Sequence, residues 1–242
     1  MKPFFKNIIY LFAFVFISSF SKKEAKVLVF SKTMGYHHES IAAGIKAIEK
    51  LGKENHFIVD TTTDGAAFTE QNLKQYKAVI FLSTTGTVLN AEQKQAFQQY
   101  IEYGGGFVGV HAATDTEYGW PWYNRLVGAY FKSHPAQQNA ELNIVDKKFI
   151  ATKHLPSTWN RWDEWYNFKD THWDSVHVLI TINEKSYKGG ENGDYHPMSW
   201  YHSFDGGRAF YTALGHTDAS YSDPLFLGHL LGGILYAMHQ KQ

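Results

Sequence analysis

The stretch GGGFVGVHAATD, residues 104–115, decides the fold of this chain. Its glycines lead into the short apolar segment 107–110, which is typical of a buried strand. The strand ends at His111, where many α/β enzymes carry a nucleophilic Ser or Cys on a strand-to-helix turn. Imidazole is a poor persistent nucleophile but a good acid, base or metal ligand near neutral pH. The stretch therefore predicts an α/β protein with a functional histidine at this turn, and the alternative is a structural histidine.

Apolar strand segments and amphipathic helix segments alternate through the first half of the chain. The predicted strands cover 26–31, 56–60, 78–82 and 107–110, and the predicted helices between them cover 39–51, 69–76 and 90–103. This order predicts an α/β fold with a doubly wound, mostly parallel sheet and helices on both faces, as in flavodoxin-like proteins. The second half is less regular, with strands predicted at 141–145 and 177–182, a hairpin at 199–204 and 208–213, and a buried helix from Pro224.

Composition excludes several classes of protein. The chain has 242 residues, 23 basic and 23 acidic side chains and no basic block, so nucleic acid is not an expected partner. The absence of cysteine excludes disulfides, thiolate catalysis and thiolate metal sites. Aromatic residues make up 17% of the chain, and their flat faces suit sugar rings as well as a core.

The first 21 residues read as a signal peptide. Lys2 and Lys6 precede the apolar run 8–17, and Ser19 and Ser21 fit the small-residue rule for cleavage after position 21. The run is short for a membrane span, which needs ~20 apolar residues, although an uncleaved anchor is the alternative. The sequence thus predicts a periplasmic or secreted protein, with residues 22–242 as one domain and no stable membrane anchor after cleavage.

Histidines follow several of the predicted strands. Ligands of parallel sheets bind beyond the carboxyl ends of the strands, so the loops that carry Tyr36, His38 and His111 should share one rim. His134 and His216 lie in similar positions along the chain. Three convergent imidazoles can hold a divalent metal such as zinc, and the predicted ligands are His38, His134 and His216. No H-E-x-x-H spacing supports this, so substrate binding by the same histidines stays open.

The carboxylate pair Asp163-Glu164 is embedded among aromatic residues. A carboxylate beside apolar rings can have a raised pKa and act as an acid or base. The predicted catalytic residues are therefore His111 and Glu164. The alternative for the pair is a loop carboxylate that caps backbone amides. The residues predicted to contact substrate are Tyr36, Asp163, His196 and Trp200.

Six spaced segments resemble one known family. They are KVLVFSKTMGYHHESIAAG, GGGFVGVHAATD, FKSHP, DEWYNF, HPMSW and GGRAFYTALGHT. Together they resemble the trehalose-utilisation ThuA-like family over roughly residues 26–240. The resemblance implies a class I glutamine amidotransferase-like fold without its cysteine, and a link to disaccharides and their 3-keto derivatives. The positions that match the family's motifs are His38, His111, His134, Glu164, Trp200 and His216, whereas His37 stands where many members carry arginine.

Two functional hypotheses follow from the residues and the resemblance. The first is an exported enzyme that acts on a disaccharide or keto-sugar glycoside by acid/base chemistry, with or without a metal. The second is a sugar-binding protein that kept the fold and lost the nucleophile. A weaker third is an interaction scaffold, which should expose an apolar patch. The expected partner is a small-molecule sugar, and the sequence leaves a homo-oligomer open.

Export has a direct test. Because the apolar segment and Ser21 predict cleavage after position 21, the mature protein should begin near Lys22. Mass spectrometry of the protein from its native host measures this start. An intact Met1 on protein recovered from the cytoplasm would contradict the prediction.

Overall fold

A nine-stranded mixed sheet organises the protein, whose computed structural model describes residues 24–239. The strands are β1 (Ala25–Phe30), β2 (Phe57–Thr62), β3 (Ala78–Leu82), β4 (Gly106–Val110), β5 (Tyr130–Ser133), β6 (Gln138–Ile144), β7 (Thr158–Asp163), β8 (Asn167–Lys169), β9 (His177–Ile182), β10 (Pro197–Phe204) and β11 (Gly207–Thr212). The helices are α1 (Ile41–Glu54), α2 (Glu70–Leu73), α3 (Ala91–Glu102), α4 (Pro121–Val127) and α5 (Pro224–Ala237). The predicted signal peptide lies outside the described residues.

The order of the strands confirms the α/β prediction. It is β2-β1-β3-β4-β11-β10-β9-β6-β7, with β5 and β8 paired separately. From β2 to β11 neighbouring strands pair in parallel, and from β11 to β7 they pair antiparallel. The antiparallel half extends a parallel core, and β11 joins the core although it comes late in the chain. The carboxyl ends of β1, β3, β4 and β11 therefore share one edge.

Helices cover both faces of the parallel strands. On one face, Phe97 of α3 stacks on Phe81 of β3, with ring centroids 5.2 Å apart. On the other face α1 and α5 pack together, and Gly233 of α5 lies against Phe210 of β11. Strands β3 and β4 are buried at every position, as expected for strands with helices on both sides. No helix within residues 24–239 is both long enough and apolar enough to cross a bilayer.

The structure confirms some predicted boundaries and corrects others. The hairpin between β10 and β11 turns on Asp205 and Gly206, both with positive φ (50° and 95°), as a two-residue hairpin loop requires. Asn90 caps α3 with a complete capping box. The predicted end of α1 at residue 51 was wrong, because the helix continues to Glu54. Gly52 is needed there for space: an added Cβ would lie 2.7 Å from the carbonyl oxygen of Phe57.

Close packing at Gly106 gives a stability prediction. A Cβ at this first residue of β4 would collide with the carbonyl oxygen of Ala237 at the end of α5. We expect Gly106→Ala to lower the free energy of unfolding by about 1–3 kcal/mol through overpacking. Urea denaturation followed by circular dichroism measures the change. The matched control is Gly119→Ala, where no atom lies within 4 Å of the new Cβ and the change should stay within about 0.5 kcal/mol. Equal losses in both variants would contradict the packing argument.

Candidate functional site

The predicted rim brings three histidines together. His38 follows β1, His111 follows β4 and His216 follows β11. The centroid of the His38 ring is 4.8 Å from that of His111 and 5.2 Å from that of His216. The rings of His111 and His216 are 5.1 Å apart. Residues far apart in the sequence thus meet because the parallel strands that carry them end at the same edge of the sheet.

His111 sits on a strained turn and its ring has a defined orientation. Its φ of 50° is left-handed, which costs energy for a residue with a Cβ, and the hydroxyl of Tyr211 donates to its carbonyl oxygen at 2.8 Å. Nδ1 lies 2.8 Å from the carbonyl oxygen of Ala213. Because a carbonyl only accepts, Nδ1 carries the hydrogen and Nε2 of the neutral ring presents a lone pair. That lone pair points at His216 and Glu164.

Glu164 joins these histidines to a further one. Its Oε2 lies 3.1 Å from His216 Nδ1 and 3.5 Å from His111 Nε2, while its Oε1 lies 3.1 Å from His134 Nδ1. His38, His111, Glu164 and His216 can each direct one ligand atom to a common point, with all four atoms within 4.8 Å of one another. We call these four residues the buried cluster. His134 is outside it and contacts the outer oxygen of Glu164.

The charges within the cluster differ from the sequence prediction. Burial opposes ionisation of Glu164, but its close contacts with the imidazoles of His111 and His216 outweigh this effect and hold the pKa of the carboxyl well below its usual range. The expected raised pKa was therefore wrong, and a carboxylate ionised at neutral pH has no proton to donate. Burial, together with the neighbouring His111 and His216 rings, lowers the pKa of His38 to about 3. Burial also disfavours charge on His216, but the Glu164 carboxylate outweighs it and raises the pKa of His216.

Exposure decides which of these groups a ligand can touch. His111 is fully buried, with 0% of its surface accessible, so it does not meet a substrate directly. The side chain of Glu164 is 7% exposed and that of His216 is 14% exposed. His134 is 43% exposed. Tyr36 is 63% exposed, with its ring 4.8 Å from that of His38. Tyr36, His134 and His216 therefore provide exposed surface beside the buried cluster.

Asp163 holds the cluster in place and does not contact a ligand. It is fully buried, and the backbone amides of Glu164 and His216 donate to its Oδ1 at 3.0 and 3.1 Å. The amide of Gly215 and the guanidinium of Arg161 donate to its Oδ2 at 3.1 and 2.9 Å. The predicted contact with substrate is corrected, since every direction around the carboxylate is taken. The alternative given for this carboxylate, capping of backbone amides, is what the structure shows.

His196 and Trp200 are not part of that exposed surface either. Both are buried, and Trp200 Nε1 donates to the carbonyl oxygen of Val127 at 2.8 Å. His196 contacts Glu184 and the carbonyl oxygen of Tyr166, each at 2.8 Å. Their polar atoms are satisfied inside the protein, so the predicted substrate contacts are corrected to structural ones. His196 thereby supports Tyr166, whose ring packs 4.4 Å from that of His111.

Two contributors to the site were not identified from the sequence. Tyr166 covers one face of His111, and Arg161 pairs with Asp163 while its side chain is only 7% exposed. Tyr166 lies in the DEWYNF segment, which resembles a family motif, but the sequence assigned no function to this residue. The sequence pattern that could have identified Arg161 is its place in a strand of alternating burial. Its side chain points inward from β7, as do those of Trp159 and Asp163.

The fold and the cluster define an α/β protein with a buried histidine at the turn that follows β4. The family model for ThuA, trehalose utilisation, matches residues 26–237, and the chain belongs to this family. No curated protein matches the sequence.

Solved structures share the fold. A ThuA-like protein of Bacteroides uniformis ATCC 8492 is 23% identical with a TM-score of 0.74, and the match covers 88% of this chain and 91% of that one. A ThuA-like protein of Parabacteroides merdae ATCC 43184 is 22% identical with a TM-score of 0.72, covering 91% and 93%. The β-galactosidase of Bacillus circulans sp. alkalophilus is 14% identical with a TM-score of 0.56, covering 88% of this chain and 30% of the larger enzyme. At these identities the likeness concerns the fold alone.

The buried Asp163–Arg161 pair gives a second stability prediction. In Asp163→Asn the guanidinium of Arg161 keeps its charge without the carboxylate 2.9 Å away, and Asp223 compensates only in part because it lies 3.6 Å from Nη1. We expect the free energy of unfolding to fall by about 3–5 kcal/mol. Urea denaturation measures it, with the exposed Asp174→Asn as control, expected within about 0.5 kcal/mol. A loss no larger than the control's would show that Asp163 does not organise the site.

Proposed function

We propose that the protein is an exported enzyme that acts on a disaccharide or a keto-sugar glycoside by acid/base chemistry at the mouth of the buried cluster. The observation that carries this proposal is the position of Glu164. Its two oxygens orient two different histidines that a ligand can reach, His134 through Oε1 and His216 through Oε2, each at 3.1 Å. A carboxylate that orients an imidazole is a recurring device for proton transfer.

The hydrogen bonds of His134 suit it to this role. Its Nδ1 lies 3.1 Å from Glu164 Oε1 and 2.9 Å from the carbonyl oxygen of Pro135. Because both partners accept, Nδ1 carries the hydrogen, and Nε2 of the neutral ring keeps a lone pair. The ring is 43% exposed, so this nitrogen belongs to a group that a substrate can meet. In this respect His134 replaces the fully buried His111 as the reactive imidazole, and His111 becomes a positioning residue.

A keto-sugar glycoside would use the two imidazoles together. A keto group makes the neighbouring C–H bond acidic, and one imidazole takes that proton. The electron pair of the C–H bond forms a carbon–carbon double bond while the glycosidic carbon–oxygen bond breaks. The departing sugar oxygen takes a proton from the other imidazole. The step is an elimination that balances without an oxidant, a reductant or any further reactant.

Two further observations support a sugar and an exported protein. Tyr36 offers an exposed aromatic face beside His38, and such faces pack against sugar rings. The family to which the chain belongs is described by trehalose utilisation. Export is supported by the lysines and the apolar run of residues 1–21, which lie outside the described structure.

One observation favours a second candidate, a sugar-binding protein without catalysis. The two residues predicted to be catalytic, His111 and Glu164, are 0% and 5% exposed, so they offer a ligand almost no surface. A binder would use Tyr36 and the rim for affinity and leave the sugar unchanged.

Turnover assays decide between the two candidates. Wild-type protein is offered oxidised and unoxidised disaccharides, with and without added divalent metal. On a derivative that is turned over, His134→Ala and His216→Ala should each lower turnover ~10²–10⁴-fold, because each removes a proton-transfer group. The matched control is His177→Ala, an exposed histidine at the start of β9 that stacks on Tyr201, and it should keep full turnover. Circular dichroism confirms that the variants fold.

Two results would overturn the proposal. Saturable sugar binding without product would show the binding protein. Undiminished turnover in a folded His134→Ala protein would remove the acid/base role from the histidine that Glu164 orients.

A further inference from the structure

We infer that His38, His111, Glu164 and His216 bind one divalent transition-metal ion, with Zn²⁺ the best match. The inference concerns the same site as the proposed function, and it rests on that proposal only for what the ion would do to a sugar. It also corrects the ligand set expected from the sequence. His134 is replaced by His111 and Glu164, because His134 contacts the oxygen of Glu164 that faces away from the other three ligands.

The spacing of three ligand atoms fits a tetrahedral ion. His111 Nε2 and His216 Nδ1 are 3.1 Å apart, and Glu164 Oε2 lies 3.5 Å from the former and 3.1 Å from the latter. Zinc binds imidazole nitrogen and carboxylate oxygen at about 2.0–2.1 Å, which places the ligands of a tetrahedral ion about 3.3 Å from one another. The three atoms therefore already outline one face of such a tetrahedron.

The contacts among His111, Glu164 and His216 have too few hydrogens to satisfy them all. With Nδ1 of His111 donating to Ala213, its Nε2 brings a lone pair to the triangle, and so does Glu164 Oε2. When both rings are neutral, at most one hydrogen, that of His216 Nδ1, serves three contacts. Facing electron pairs repel unless something positive lies between them. A cation at the common point satisfies all three atoms at once, whereas a single hydrogen does not.

His38 supplies an independent observation. It is 4% exposed, and its Nδ1 has no hydrogen-bond partner among residues 24–239. A buried polar nitrogen without a partner is unfavourable by about 1–3 kcal/mol, so its presence needs a reason. Its ring packs edge-on against the rings of His111 and His216, and it offers one ligand atom within 4.8 Å of the other three. A metal ion at the cluster would give this buried ring a partner for the nitrogen that it directs there.

The surroundings are those of a built metal site. Metal-binding imidazoles are oriented by a hydrogen bond from the other ring nitrogen, as Ala213 does for His111. Asp163 accepts hydrogen bonds from the backbone amides of both Glu164 and His216, so it holds two ligands that follow distant strands at a fixed distance from each other. These outer contacts preorganise the ligand atoms before any ion arrives.

The donor set selects the kind of ion. Three imidazoles and one carboxylate suit zinc and its transition-metal neighbours, whereas Mg²⁺ and Ca²⁺ prefer oxygen ligands throughout. With all four residues bound, a substrate oxygen that enters from the exposed side would be a fifth ligand. An ion there would polarise a sugar keto oxygen, and with His216 among its ligands the two proton transfers of the proposed function would belong to His134.

Metal binding is tested without a sugar. Chelator-treated protein is titrated with ZnCl₂ by calorimetry, and the bound metal is counted by elemental analysis after dialysis. We expect one equivalent of Zn²⁺, and in the Co²⁺-loaded protein we expect the visible absorption bands of a low-symmetry four-coordinate site. Glu164→Gln, which preserves volume, and His111→Ala should each weaken Zn²⁺ binding by at least ~10–100-fold. His38→Ala tests the fourth ligand and should weaken it by a smaller factor.

Two controls separate this inference from the proposed function. His134→Ala and His177→Ala remove histidines outside the buried cluster, so both should bind Zn²⁺ like the wild type, although His134→Ala should lose turnover. Wild-type protein that binds no Zn²⁺ and no Co²⁺ would overturn the metal site, and so would unchanged affinity in the folded Glu164→Gln and His111→Ala variants. One tightly bound Zn²⁺ in a protein that turns over no sugar derivative would keep the metal site and overturn the enzyme.

Discussion

Both oxygens of the buried Asp163 carboxylate accept hydrogen bonds, and the donors come from opposite sides of the antiparallel half of the sheet. Glu164 is its neighbour after β7, whereas Gly215 and His216 follow β11, with β10, β9 and β6 between the two strands. The Arg161 guanidinium supplies the countercharge. A carboxylate buried without these donors would be very unfavourable, so the donors and the carboxylate hold each other in place. The hydrogen bonds to Asp163 bring Glu164 close to His216, and the geometry of the whole site depends on them.

The parallel core was predictable because burial on both faces leaves an unmistakable pattern. Strands β3 and β4 are continuous apolar runs, and once they are placed, the rule for carboxyl ends brings His111 to the rim. Strand β7 was not predicted, although its alternation of exposed and buried residues is complete. Its inward positions hold Trp159, Arg161 and Asp163, and two charged residues out of three conceal the apolar alternation by which a strand is identified. The element that positions the site was hidden by the residues that do the positioning.

The sequence-based prediction for the pKa of Glu164 was wrong for a related reason. The sequence shows Glu164 beside aromatic residues, and that neighbourhood alone predicts a raised pKa. The groups that reverse the sign, His111 and His216, are distant in the chain and arrive only through the sheet topology. Their close contacts with the carboxylate outweigh its burial, so the local sequence context gave the wrong direction for the pKa shift. Family motifs have the same limit: Trp200 matches a motif, yet its indole serves the core.

Histidine at the strand-to-helix turn changes what that turn can do. His111 has a left-handed backbone there, supported by the hydrogen bond from Tyr211 to its carbonyl oxygen, and the chain has no cysteine that could act as a nucleophile. A nucleophile must reach its substrate, but the Ala213 carbonyl draws this ring inward and Tyr166 covers it. The strained turn therefore holds a lone pair at a fixed point inside the protein instead of presenting a reactive atom at the surface. A rigid inward lone pair suits a metal ion that stays bound, and in the proposed function the proton transfers are therefore assigned to the more exposed His134.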